Sequence, residues 1–209
     1  MNQTTNKRIQ QKQQTALLIL DAAKKLFAEQ GFENTTTRSI ATEAGVGIGT
    51  VFAHYPDKIT LLGQALRGEI GQVVENSLKI LGQHQEFTEQ LVHLSVGLMA
   101  YYIKNQSLAR ELIKYATFQK GPEAAAFNEQ MTNFALVASG IIEQAVKKGV
   151  LDSQVQVSTM TKNYMAIHFF VVGQCLRLDA PQLEEQTTQL REMVQALFTG
   201  YCLRGKSLP

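Results

Sequence analysis

Residues 45–58 read GVGIGTVFAHYPDK. Glycines at alternate positions, followed by His54 and Lys58, are residue types that hold phosphate. Glycine lets backbone N–H groups approach an anion, and a cation beside them offsets its charge. The phosphate would belong either to a nucleotide cofactor or to a DNA backbone. A nucleotide loop must follow a buried strand and open a helix within a βαβ unit. The preceding TRSIATEA is helical in pattern, and Gly49-Thr50 runs into Val51 rather than the Lys-Ser/Thr of a P-loop. No cofactor is therefore expected. A helix-turn-helix needs two short helices joined by a tight turn containing Gly. Gly45 supplies that turn, Val46 plugs the gap between the helices and Gly47 is an acceptable N-cap. Gly49, without a Cβ, lets the second helix come close to whatever it faces.

The elements that must position these residues are helices throughout. A first helix is expected over residues 13–30, with Ala16, Ile19, Leu20, Ala23, Leu26 and Phe27 on one face and Gly31 as its stop. A short helix follows, N-capped by one of Thr35, Thr36 and Thr37, with Ile40, Ala41 and Ala44 inward. A third covers residues 47–55 and ends at Pro56, with Val51 and Tyr55 turned inward. Asp57 caps a fourth helix that carries Ile59, Leu62, Leu66 and Ile70. Five longer amphipathic helices are expected over residues 87–105, 107–119, 122–148, 158–179 and 181–203. Alternating Val/Ile/Thr runs and Asn-Gly turns are missing, so no sheet is expected. The fold class is all-α, with nine helices.

The net charge of +2 is unevenly placed. Residues 1–60 hold seven Lys/Arg against five Asp/Glu, and the remainder holds thirteen of each. Lys7, Arg8 and Lys12 cluster at the start, which suits a polyanion or a solvated tail. Cys175 and Cys202 fit no metal pattern and read as free thiols of a reducing compartment. The apolar run at residues 16–20 is too short for a signal peptide, and no apolar span reaches membrane length. A cytoplasmic protein without a membrane partner is expected.

The stretch ILDAAKKLFAEQGFENTTTRSIATEAGVGIGTVFAHYPDKITLL, residues 19–62, resembles the DNA-binding domain of the tetracycline-repressor (TetR) family of bacterial regulators. Its elements are LDAAKKLFAEQGF, TTTRSIATEAGV, the Gly-Thr pair, the aromatic two before a histidine, and HYPDK, all without a gap. The resemblance implies that the third helix enters the major groove as a recognition helix. It implies DNA contacts from Thr37, Arg38, Gly47, Ile48, Gly49, Thr50, Phe52, His54 and Lys58. Thr37, Arg38, His54 and Lys58 match backbone-contacting positions, and Thr50 reaches a base edge or a phosphate. Two positions depart from the pattern. Phe52 stands where a tyrosine is usual, and Gly47-Ile48 where Ser-Lys is common. Both changes remove polar groups, so a contact with sugar or a thymine methyl is the expectation for Phe52 and Ile48. Core packing is the equally weighted alternative for Ile48. Tyr55, Phe27 and Phe32 read as domain core.

Beyond residue 70 only the helical layout and length fit the family. Aromatic and methionine side chains there suit an adaptable apolar pocket, and ordinary core is the plainer reading of any one of them. The resemblance implies that an inducer binds in this part; the candidates are Tyr102, Tyr115, Phe118, Phe127, Met131, Phe134, Met165 and His168. It also implies dimerisation through the last two helices, with Phe169, Val172, Gly173, Leu176, Leu190, Val194, Leu197, Phe198 and Tyr201 at the interface. His93 reads as surface and His84 receives no role. No His/Cys/Glu grouping suggests a metal, and no Ser/His/Asp spacing suggests catalysis, so a non-enzyme is expected.

The expected organisation is a flexible basic arm (residues 1–12), a helix-turn-helix domain (13–56), a connecting helix (57–80), and a ligand-binding and dimerisation domain (81–209). The expected function is a homodimeric transcriptional regulator, a repressor in the first reading. It binds a roughly palindromic double-stranded operator and is released by an apolar or amphipathic effector. The alternative is an all-α binding or enzymatic module that keeps the helix-turn-helix only as scaffold.

Overall fold

A computed structural model describes residues 2–83, 86–118 and 120–202. Among them are nine helices: α1 (Asn2–Asn34), α2 (Thr37–Glu43), α3 (Ile48–His54), α4 (Lys58–Leu81), α5 (Phe87–Lys104), α6 (Gln106–Phe118), α7 (Pro122–Lys147), α8 (Val157–Arg177) and α9 (Leu183–Thr199). The sole strand-like pairing among the described residues is an isolated antiparallel bridge between Leu151 and Cys202. Leu203, placed in the last helix from sequence, lies outside the described residues, as does His84.

Residues 2–12, expected as a flexible arm, are helical and continue into α1. Gln, Lys and Arg are good helix formers and no Gly or Pro interrupts them, so the helix propagates outward from its anchored part. Gly31, with φ 78° and ψ 166°, breaks α1 near its end, where the sequence places its stop. Each terminus nearby is tied chemically. The Ser39 N–H donates to Thr36 Oγ1 at 3.0 Å and the Thr36 N–H donates to Ser39 Oγ at 3.1 Å, a capping box that starts α2. Asp57 Oδ1 accepts from the Thr60 N–H at 2.7 Å and caps α4.

Two compact units divide the chain. The first comprises Met1–Glu69 and Ser107–Phe127, the second Ile70–Gln106 and Asn128–Pro209. The boundary falls inside α4 and again inside α7. In the first unit Ile19, Ala23, Leu26 and Phe27 of α1 are buried, together with Ile40 and Ala41 of α2, Val51 of α3, Tyr55, and Leu61 and Leu62 of α4. Phe32 packs on Phe27, the rings tilted by 43° with 5.4 Å between centroids. In the second unit α5, α8 and α9 pack on one another. The Phe198 and Phe87 rings meet edge-on at 5.0 Å, and Arg191 holds Glu89 through two hydrogen bonds of 2.8 and 3.3 Å. The distal part of α4 meets α5 where Gly97 leaves room, since a Cβ there would collide with Ser77 Oγ.

The turn between α2 and α3 depends on Gly45, which has φ 67°. That conformation lets the Val46 N–H donate to the Ala41 carbonyl at 3.0 Å and closes the end of α2. A Cβ there has space but the wrong backbone, so Gly45→Ala is expected to cost about 1–2 kcal/mol. A lower urea midpoint with unchanged m-value would register it.

Candidate nucleic-acid interface

The second helix of the turn motif is seven residues long, too short to be stable alone. It is held from one side. Val51 is fully buried, and Tyr55, its C-cap, is buried with its hydroxyl donating to the Ala16 carbonyl at 3.2 Å. Gly47 is the N-cap, with extended backbone and no side chain to cap with. The opposite face is left uncovered: Ile48 is 42% and Phe52 50% exposed, and Gly49 and Ala53 are exposed beside them. Ile48 is thus not core. A Cβ on Gly49 would meet nothing within 4 Å, so that side is open. Ala53 was not singled out from sequence; its position four after Gly49 was the available signal.

The polar candidates distribute unequally. Arg38 is exposed in the first turn of α2 and Thr37 is half-buried. Thr50 and His54 are half-buried at the edges of the α3 face. Lys58 departs from the phosphate-contact expectation. Its Nζ donates to the carbonyls of Phe32 at 2.7 Å, Thr35 at 3.1 Å and Glu33 at 3.4 Å, and sits 4.2 Å from the centre of the Phe32 ring. These carbonyls lie where Gly31 breaks α1; that of Phe32 also accepts from the Thr35 N–H at 3.3 Å, and an ammonium complements all three at once. Lys58 therefore clamps the start of α4 to the end of α1. Thr35 supports the same corner, its hydroxyl lying 2.7 Å from the Gly31 carbonyl and 3.2 Å from that of Leu26. Lys25 pairs with Glu43 at 2.7 Å and joins α1 to α2.

The sequence of this region has known relatives. Residues 19–65 match the model of the bacterial regulatory proteins, tetR family. The chain is 27% identical to the HTH-type transcriptional regulator AcrR of Shigella flexneri over 93% of this chain and 92% of that one. It is 26% identical to the HTH-type transcriptional repressor KstR2 of Rhodococcus jostii over 66% of this chain and 69% of that one. Residues 19–65 thus carry a TetR-type DNA-binding domain, and the chain is a transcriptional regulator rather than an enzyme. Among solved TetR-type structures, that of Thermus thermophilus FadR in complex with lauroyl-CoA superposes with a TM-score of 0.70. It covers 93% of this chain and 98% of that one at 23% identity. Bacillus subtilis FadR in complex with stearoyl-CoA gives 0.67, with 88% and 98% covered at 18% identity. These two share the fold.

The residues expected at a TetR-type effector site are placed as follows. Tyr102, Phe127, Met131, Phe134 and His168 are buried, and Tyr115 and Met165 half-buried. Tyr115, Phe118 and Phe127 fall in the first unit and the others in the second. Phe118 is no pocket residue: it is 80% exposed, because the buried stripe of α6 is Leu108, Ala109, Leu112 and Ala116, and two residues further on the side chain points away. His93, assigned to the surface, is half-buried. Tyr102 carries a buried hydroxyl with no hydrogen-bond partner among the described residues. In the second unit a polar chain that sequence reasoning did not assemble runs through the core. Tyr164 donates to the Leu91 carbonyl at 2.8 Å, lies 2.6 Å from Ser95 Oγ, and Ser95 Oγ lies 3.0 Å from His168 Nδ1. Ser95 was legible only as one of two polar residues, with Thr88, on the apolar stripe of α5. Burial raises the Tyr102 and Tyr164 hydroxyl pKa values and lowers that of His168 to about 4.

Five residues expected at a dimer interface are instead buried within the second unit. Leu190, Val194 and Phe198 are fully buried, and Val172 and Leu176 nearly so. Residues 190, 194 and 198 form the single apolar stripe of α9, and its own unit consumes that stripe. Phe169 and Tyr201 are 41% and 42% exposed, Gly173 is exposed and Leu197 half-buried. Phe170, not singled out, is 49% exposed.

Two measurements follow from these contacts. Lys58→Met is expected to lower stability by about 2 kcal/mol through three carbonyls losing a charged donor, while the salt slope of DNA binding stays unchanged. A smaller slope would return Lys58 to the phosphates. For His168, the imidazole titrates near 6.5 when unfolded and near 4 when folded. The unfolded chain therefore takes up the proton first, and stability falls as pH drops from 6.5 towards 4, by on the order of 3 kcal/mol. Urea midpoints at about pH 7 and about pH 4 should converge in His168→Gln.

Proposed function

We propose that this regulator is a repressor that binds a roughly palindromic operator as a homodimer and leaves it when an apolar or amphipathic effector binds. The observation that carries the DNA half is the uncovered face of α3, with Ile48, Gly49, Phe52 and Ala53 outward while Val51 and Tyr55 fasten the helix from behind. Flanking phosphates fall to Thr37, Arg38, Thr50 and His54, and the basic start of α1 reinforces them. Lys7, Arg8 and Lys12 are all exposed and lie within a 140° arc of the helix.

A homodimer is favoured by Phe169, Phe170, Gly173, Leu197 and Tyr201, which leave apolar surface uncovered on α8 and at the end of α9. A two-fold axis would set two recognition helices one turn of DNA apart, about 34–36 Å. The effector half draws on the unpartnered Tyr102 hydroxyl within an apolar surround and on the lauroyl-CoA and stearoyl-CoA that accompany the two FadR structures. Long acyl chains are the first ligands to try. Such a ligand acts only by favouring one spacing of the DNA heads over another.

Gel shift on the DNA upstream of its own gene is the direct test. One palindromic site should be retarded at low salt, and an acyl thioester should release it. His54→Ala should weaken the complex. Exchanging Lys7, Arg8 and Lys12 for Gln should reduce the salt slope by up to about 5 in a dimer, at ~0.9 per phosphate contact. No retarded palindrome at low salt would end the reading.

A further inference from the structure

The recognition helix reads Ile-Gly-Thr-Val-Phe-Ala-His over Ile48–His54. It contains no Arg, Lys, Asn, Gln, Asp or Glu, the side chains that pair bidentately with base edges. Its two polar side chains, Thr50 and His54, are half-buried and lie about 60° and 100° beyond Ala53, at the edge of the exposed arc that runs from Ile48 to Ala53. The face turned outward is therefore Ile48, Phe52, Gly49 and Ala53, which carries no hydrogen-bonding side-chain group.

The major groove presents donors and acceptors on every base pair, and one apolar feature, the C5-methyl of thymine. Apolar side chains set against guanine, cytosine or adenine edges would strip water from those polar atoms and give nothing back, at a penalty of the kind attached to any unpaired buried polar group. Set against a thymine methyl they bury apolar surface on both sides. Gly49 adds room, since nothing in the protein stands within 4 Å of where its Cβ would be.

We propose that α3 reads its operator through thymine methyl groups, with Ile48 and Phe52 as the specificity-determining residues and Ala53 completing the contact face. The half-sites under α3 are then thymine-bearing, and bidentate guanine readout is no part of this helix's specificity. The inference rests on the operator binding proposed above.

Single-atom-group replacement in the DNA tests it with the protein intact. In the duplex retarded by the wild-type chain, each half-site thymine is exchanged in turn for deoxyuridine, which keeps base pairing and loses only the methyl. At contacted positions each exchange should weaken binding about fourfold, and about fifteenfold when made in both half-sites, as ~0.8 kcal/mol per buried carbon implies. The same exchange should cost the Phe52→Ala or Ile48→Ala chain much less, because its partner is already gone. Both side chains are exposed, so melting temperatures close to wild type should accompany the variants. Binding that is indifferent to every deoxyuridine, or weakened instead by 7-deazaguanine under α3, overturns the inference and leaves the regulator standing. An equal deoxyuridine penalty in wild type and both variants also overturns it. Failure of the wild-type chain to retard any duplex removes the operator reading itself.

Discussion

A helix of seven residues does not persist on its own backbone hydrogen bonds, so the reading head of this protein exists only while Val51 and Tyr55 stay buried. Most of the first unit serves that condition. Gly45 takes a left-handed conformation so that α2 can stop and α3 can turn across it. The capping box of Thr36 and Ser39 fixes where α2 begins. Lys58 and Thr35 gather the carbonyls released at Gly31 and so bind the corner between α1 and α4. One buried side fastens α3; the other can then be spent on recognition.

The same economy governs the second unit. Its helices each have one apolar stripe, and the internal core takes it: Leu91 and Leu98 on α5, Val171 and Cys175 on α8, Leu190, Val194 and Phe198 on α9. Polar atoms enter that core in a chain, from the Leu91 carbonyl through Tyr164 and Ser95 to His168, where each satisfies the next. A buried network of this kind ties α5 to α8, and burial keeps the imidazole neutral. The Tyr102 hydroxyl stands outside the chain and, like Thr88 Oγ1 and Gln186 Oε1, is a buried polar atom of this core without a hydrogen-bond partner among the described residues.

Much of this was open to inspection in the sequence. Periodicity placed the helices to within a few residues, because burial repeats at three and four wherever a helix has one inward face. Glycine and proline marked the ends that matter, at Gly31, Gly45 and Pro56, since few other residues stop a helix so definitely. The helical start of α1 was less readable: a polar, Gln-rich stretch has no stripe to announce it, yet its propensity lets the helix run on.

Side-chain partners were the part that pattern could not supply. Lys58 looked like a phosphate contact because type and position agreed, but carbonyls from residues 32–35 reach it first. Leu190, Val194 and Phe198 looked free for a second copy because a stripe in sequence does not say which chain covers it. Ser95, Tyr164 and His168 lie up to 73 residues apart and meet only when α5 and α8 pack. The sequence by itself determined an all-helical chain with a helix-turn-helix, since local spacing and turn chemistry are properties of neighbours along the chain. Only the tertiary structure decided which polar groups are already engaged and which apolar faces stay open, because those are contacts between residues remote in sequence.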